Sequence, residues 1–107
     1  MRTLMKVVMP VESGNRAIND GTLPTTVQAL IEAHKPEASY FYAEKGRRTM
    51  LFVLDMKDSS QIPELAEPLF MSLNAEVELY PVMNAADLKS GLEKFSARKH
   101  GRTAAKV

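Results

Sequence analysis

Few residues in this chain are of a type that does chemistry, and they are widely spaced. There is no cysteine, which removes thiol nucleophiles, disulfides and thiolate metal ligands. The two histidines, His34 and His100, are far apart and neither has a second ligand at helical spacing, so no metal site is expected. Ser59, Ser60, Ser72 and Ser90 have no neighbouring His–Asp arrangement, and two histidines make a hydrolytic triad a poor expectation. Gly14 and Gly21 fit neither a phosphate loop nor a dinucleotide fingerprint, and no cofactor is expected.

What remains suits the lining of a small-molecule pocket. Tyr40 and Tyr42 share one face of a strand and offer apolar bodies with hydroxyl tips. Asn15, Asn19 and Asp20 lie where a helix start is broken and could orient a polar ligand at a cavity mouth, as could Lys6, the one charge inside the first strand. Each has a plain structural role open to it as well: edge tyrosines pack and hydrate, Asn and Asp cap or turn, and a lone Lys snorkels to a rim. Glu76 and Glu78 read as a solvated edge that resists aggregation, not as a catalytic carboxylate pair.

These residues must be positioned by a short series of elements. Thr3–Val11 is β-branched, Met-rich and closed by Pro10, which predicts a strand. Glu12–Asn15 reads as a turn and Arg16–Asp20 as one helical turn broken at Gly21. A helix then runs from Pro24 through Val27, Leu30, Ile31 and His34 to Lys35-Pro36. Ala38–Glu44 and Thr49–Met56 form a hairpin about the Lys45–Arg48 turn. Ile62, Leu65, Ala66, Leu69, Phe70 and Leu73 mark a second helix, with Pro68 expected to kink or divide it near Glu67. Glu76–Met83 is a fourth strand, placed at an edge by Pro81, and Asn84 caps a third helix bearing Leu88, Leu92 and Phe95 on one face.

The order β-α-β-β-α-β-α predicts an α+β fold, ferredoxin-like βαββαβ with an extra C-terminal helix and a four-stranded antiparallel sheet. A sheet with helices on one face and water on the other alternates apolar and polar residues. Here Met5, Val7 and Met9 oppose Leu4 and Val8, and Leu51 and Val53 oppose Met50, Phe52, Leu54 and Met56. With both faces apolar, the second needs a cover, and a second copy is the simplest one. The expectation is a homodimer through the sheet face, with Met5, Met9, Met50 and Met56 as core or interface residues.

This order, the twice-apolar sheet and the C-terminal helix resemble the dimeric α+β barrel superfamily. Lys35-Pro36-Glu37-Ala38, Ala66-Glu67-Pro68 and Leu73-Asn74-Ala75-Glu76-Val77 also look like a group of small uncharacterised bacterial proteins within it. The resemblance covers about residues 1–95 and implies a homodimer with a cavity between sheet and helices in each subunit. It supplies no motif of defined chemistry. RNA-recognition domains share the strand and helix order, but Arg47 and Thr49 stand where their stacking rings would be, so no nucleic-acid partner is expected.

Size and composition agree with one domain. The chain has 107 residues, 45% of them hydrophobic and 25% charged, and a net charge of +1. No apolar run approaches the roughly 20 residues of a membrane span. With no signal-peptide pattern and no cysteine, the expectation is a soluble cytoplasmic protein without a membrane partner. Residues 1–97 read as the domain and 98–107 as a basic C-terminal extension, since Arg98, Lys99, Arg102 and Lys106 fall there without an acidic residue. Whether the protein is an enzyme stays open. The leading expectation is a homodimer that binds a small, partly apolar molecule between sheet and helices. The alternatives are a cofactor-free monooxygenase or isomerase, and a structural dimer without a ligand.

Overall fold

Pro10 decides how the chain leaves its first strand. In the computed structural model, which describes the backbone of residues 1–105 and the side chains of residues 1–99, β1 (Arg2–Val8) stops two residues before it. Pro10, at φ −58°, opens helix α1 (Val11–Asn19), whose first backbone bond runs from Gly14 N–H to the Pro10 carbonyl at 2.9 Å. The expected strand end and turn over residues 11–15 are thus helix. Ser13, Gly14 and Asn15 are turn formers in isolation, but the preset proline dihedral and a bond from Ser13 Oγ to the Pro10 carbonyl (3.3 Å) favour continuing the turn into a helix.

Gly21, at φ +79°, then separates α1 from α2 (Thr22–His34). The hairpin strands β2 (Ala38–Glu44) and β3 (Arg47–Asp55) are joined by Lys45-Gly46 alone, both at positive φ (53° and 77°), the backbone of a two-residue type I′ turn. The turn is therefore two residues shorter than the sequence suggested, and Arg47 and Arg48 belong to β3. Helix α3 (Gln61–Leu73) is a single element with Pro68 inside it, undivided at Glu67, and ends at Asn74 in the left-handed region. Strand β4 (Glu76–Pro81) precedes α4 (Ala85–Ala105). The start of α4 is a reciprocal cap: Asp87 N–H donates to Asn84 Oδ1 at 2.8 Å and Asn84 N–H donates to Asp87 Oδ2 at 3.1 Å.

The result is an α+β fold with four helices and a four-stranded antiparallel sheet in the order β2-β3-β1-β4. Strand β4 lies at an edge, as Pro81 requires. Cross-strand pairing puts Met5 beside Phe52 and Val7 beside Met50, on the face beneath α1, α2 and α3. There they meet Leu30, Leu65, Leu69 and Leu73, and Phe52 takes the edge of the Phe41 ring at 5.9 Å.

Met5, Met9 and Met50 are buried in this core and Met56 packs against it, so none of the four lies on the uncovered face of the sheet. That uncovered face carries Leu4, Lys6 and Val8 from β1, Arg47, Thr49, Leu51 and Val53 from β3, Tyr40, Tyr42 and Glu44 from β2, and Glu76, Glu78 and Tyr80 from β4, with Val8 and Thr49 buried beneath their neighbours. It is thus more polar than the central strands alone suggested, because both edge strands bring carboxylates and phenols to it.

Helix α4 leaves the body of the fold. Its first turn is tied to the sheet by Arg2 Nη1 and Asp87 Oδ2 at 3.1 Å, and every described side chain from Met83 to Lys99 is exposed. It continues through most of residues 98–107. Of the expected basic extension, the Arg98 and Lys99 side chains are described and exposed, while those of Arg102 and Lys106 lie outside the described residues. Among the described residues no helix is long and apolar enough to cross a membrane.

Candidate functional site

The six residues singled out from sequence do not converge. Lys6, Tyr40 and Tyr42 belong to the uncovered face, while Asn15, Asn19 and Asp20 lie on or just after α1, on the helix side of the sheet. Asp20 is occupied locally: its Oδ1 accepts Thr22 N–H at 2.9 Å, and the bonds from Thr22 hold its carboxyl below the usual carboxylate value. Asn19 is exposed at the last position of α1.

On the uncovered face a closed hydrogen-bonded cluster forms. Lys6 Nζ donates to Glu44 Oε2 at 2.5 Å and Tyr42 Oη donates to Glu44 Oε1 at 2.6 Å. The Lys6 ammonium, and after it the Tyr42 hydroxyl, hold the Glu44 carboxyl low; the same carboxylate pushes Lys6 and Tyr42 up. On the opposite edge Tyr80 Oη donates to Glu78 Oε1 at 2.6 Å, and that bond raises the phenol. An amine held as ammonium is no nucleophile, and a carboxylate receiving two donors is no free base. The cluster is built to carry charge, not to exchange protons near neutrality.

The helix side offers a different arrangement. A groove of about 520 Å³ runs between the α1–α2 pair and strands β2 and β3. Met9, Ile18, Leu23, Pro24, Val27 and Phe41 line it, Tyr42, expected from sequence as a pocket residue, also borders it, and Phe41 is 56% exposed. Arg48 stands in its wall. The guanidinium Nη1 donates to Asn15 Oδ1 at 3.1 Å, and among the described residues Arg48 has no carboxylate partner. Gly14 makes room for it: a Cβ there would stand 2.7 Å from Arg48 Nη1. A second cleft, of about 360 Å³, lies between α2 and α3, where Ala29, Ala33 and Ser72 are too small to fill the space beside His34 and Glu64.

Arg48, Gly14 and Phe41 are not among the pocket residues expected from sequence. The signal for Arg48 was its phase: counting back by twos from Leu54, Phe52 and Met50 along β3 puts this charge in register with core positions. A four-residue turn hid that phase.

The chain matches no protein-family model and no curated protein. The geometry therefore has to carry the functional reading. Among the described residues no group of three or more His, Cys, Asp or Glu side chains is placed to hold a metal ion.

Proposed function

We propose that this chain is a homodimeric protein that holds a small, partly apolar molecule with an acidic or carbonyl oxygen in the groove between β2 and the α1–α2 pair. The observation that carries the reading is Arg48. It is a half-buried guanidinium at an apolar groove, steadied by a neutral amide and, among the described residues, not matched by any carboxylate. Such a group recognises planar oxygen acceptors in pairs, and the apolar wall opposite it takes the rest of the molecule.

The dimer belongs to the same reading. Counted from its other edge the sheet runs β4-β1-β3-β2, an order compatible with the ferredoxin-like arrangement and, through it, with the dimeric α+β barrel resemblance; α1 is an addition to that plan. In this view the uncovered face, with Leu4, Leu51, Val53 and three tyrosines, is the side turned to the second copy.

Octanoate is a suitable probe of the groove, being an apolar chain with a carboxylate end. Titration followed by amide and methyl NMR is expected to give saturable shifts at Met9, Leu23, Val27 and Arg48. Arg48→Met keeps the side-chain length and removes the charge; it is expected to weaken octanoate about tenfold, as the loss of one charge-assisted bond does. Unsaturable shifts, or equal binding by Arg48→Met, would defeat the proposal.

A further inference from the structure

We infer that α4 is an exchanged arm: its apolar stripe lies along the uncovered sheet face of a second copy, which returns its own α4 in the same way. The inference rests on the homodimer reading above and specifies what meets that face.

Three observations carry it. The first is the stripe. Leu88, Leu92 and Phe95 follow at i, i+4 and i+7, yet they are 47, 55 and 63% exposed, so nothing in the same chain covers them. Lys89 and Arg98 flank the stripe at about 100° and 80° to either side, Asp87 lies at about 100° on the Arg98 side, Lys99 falls within about 20° of the stripe, and Glu93 stands roughly 140° away.

The second is charge. The uncovered face presents Glu44, held by Lys6, at its β2 edge and Glu76 and Glu78 at its β4 edge, with Glu76 within 3.7 Å of Arg47, while Leu4, Leu51 and Val53 lie in the middle beside Lys6. Among the described residues Glu78 forms no ion pair, and a flanking cation of the arm, Lys89 or Arg98, is the charge that would meet it.

The third is size. Residues 85–99 of α4 span about 22 Å, the length of a seven-residue strand at about 3.3 Å per residue. A four-stranded face about 20 Å on a side offers on the order of 400 Å², so two bare faces bury about 800 Å², half of the ~1,600 Å² usual in stable dimers. Each arm adds a half-cylinder of roughly 350 Å² and, being about 11 Å wide, covers about 240 Å² of the face beneath it, which brings two exchanged arms to about 1,200 Å², the lower end of stable dimers.

The test uses the full chain. Sedimentation at tens of micromolar is expected to give a dimer for the natural sequence and a monomer for Leu92→Asp and for Phe95→Asp. Both side chains are exposed in the single chain, so its fold, checked by circular dichroism, is expected to persist. The absence of natural cysteine makes position-specific cross-linking clean. Leu92→Cys and Leu51→Cys proteins, made separately and mixed under oxidation, are expected to form a mixed disulfide, with neither variant cross-linking alone. A monomeric natural sequence would overturn the homodimer reading and the arm with it. A dimer that survives Leu92→Asp, or cross-links in Leu51→Cys alone, overturns the arm and leaves the homodimer standing, and cross-links in Leu92→Cys alone overturn it in favour of arm-on-arm pairing.

Discussion

Arg48 and Glu44 sit on opposite sides of the same hairpin, and each is governed by its immediate neighbours. Arg48 depends on a missing methyl group. Gly14→Ala would place a Cβ 2.7 Å from its Nη1, and the flexible guanidinium, not the backbone, would give way. The expected outcome is a several-fold loss of octanoate affinity with a melting temperature little changed, read by titration and calorimetry on the same variant; unchanged affinity would show that the Asn15 bond does not position the guanidinium. Glu44 follows linkage. Its carboxyl is held below the ordinary 4.5, so its contribution to stability is complete above that pH and is lost as the pH falls through the depressed value. Lys6 and Tyr42 are pushed above 10.5 and 10.0, so their contributions hold below those values and go as the pH rises through the raised ones. Lys6→Met is therefore expected to move the Glu44 midpoint upward in a carboxyl carbon NMR titration, and Glu44→Gln to bring the Tyr42 phenol down in ultraviolet absorbance. A Glu44 midpoint that stays in place in Lys6→Met would mean that the pair is not formed in solution.

Elements were legible where one strong local preference decided them. The second and third helices expected from sequence, α3 and α4, announce themselves by apolar spacing and by Asn84, and β4 by its alternation and Pro81. Residues 11–15 read as a turn because Ser, Gly and Asn prefer turns in isolation, whereas the Pro10 dihedral and the Ser13 Oγ bond to the Pro10 carbonyl carry the chain into a helix. The groove is hard to read from sequence because Asn15 reads as a ligand-orienting residue, while its partner Arg48 falls in what reads as a four-residue β2–β3 turn. The turn itself can be tested. Gly46 has φ +77° with no heavy atom within 4 Å of a built Cβ, so Gly46→Ala meets no steric obstacle and costs only backbone conformation, about 1 kcal/mol. Urea unfolding is expected to show that loss with an unchanged slope; no loss at all would mean that the hairpin tolerates a different turn.

At the scale of the molecule, the fold as a single chain is divided between a packed body and a projecting helix. The long axis is 68 Å against 28 and 19 Å across, because α4 adds its length to the sheet instead of folding back on it. A helix of this kind is marginal in water when isolated, since nucleation is costly and most helical stability comes from packing an apolar face. On the exchanged-arm proposal, the stability of α4 and of the uncovered sheet face depends on the second copy, and by mass action so does the apparent stability of the whole protein. A tenfold rise in concentration favours a folded dimer over two unfolded chains by about 1.4 kcal/mol, shared between two chains. For chains of about 100 residues that share raises the melting temperature by roughly 3–5 °C. The natural sequence is expected to show this dependence in calorimetry between about 10 and 100 micromolar, whereas Leu92→Asp is expected to melt at one temperature throughout. The α4 amides supply an independent check: they are expected to exchange slowly with deuterium at the higher concentration and rapidly in Leu92→Asp, while the amides of β1 and β3 differ less. A melting temperature of the natural sequence that does not move with concentration would mean that the body is stable alone and that the apolar stripe of α4 contributes nothing to it.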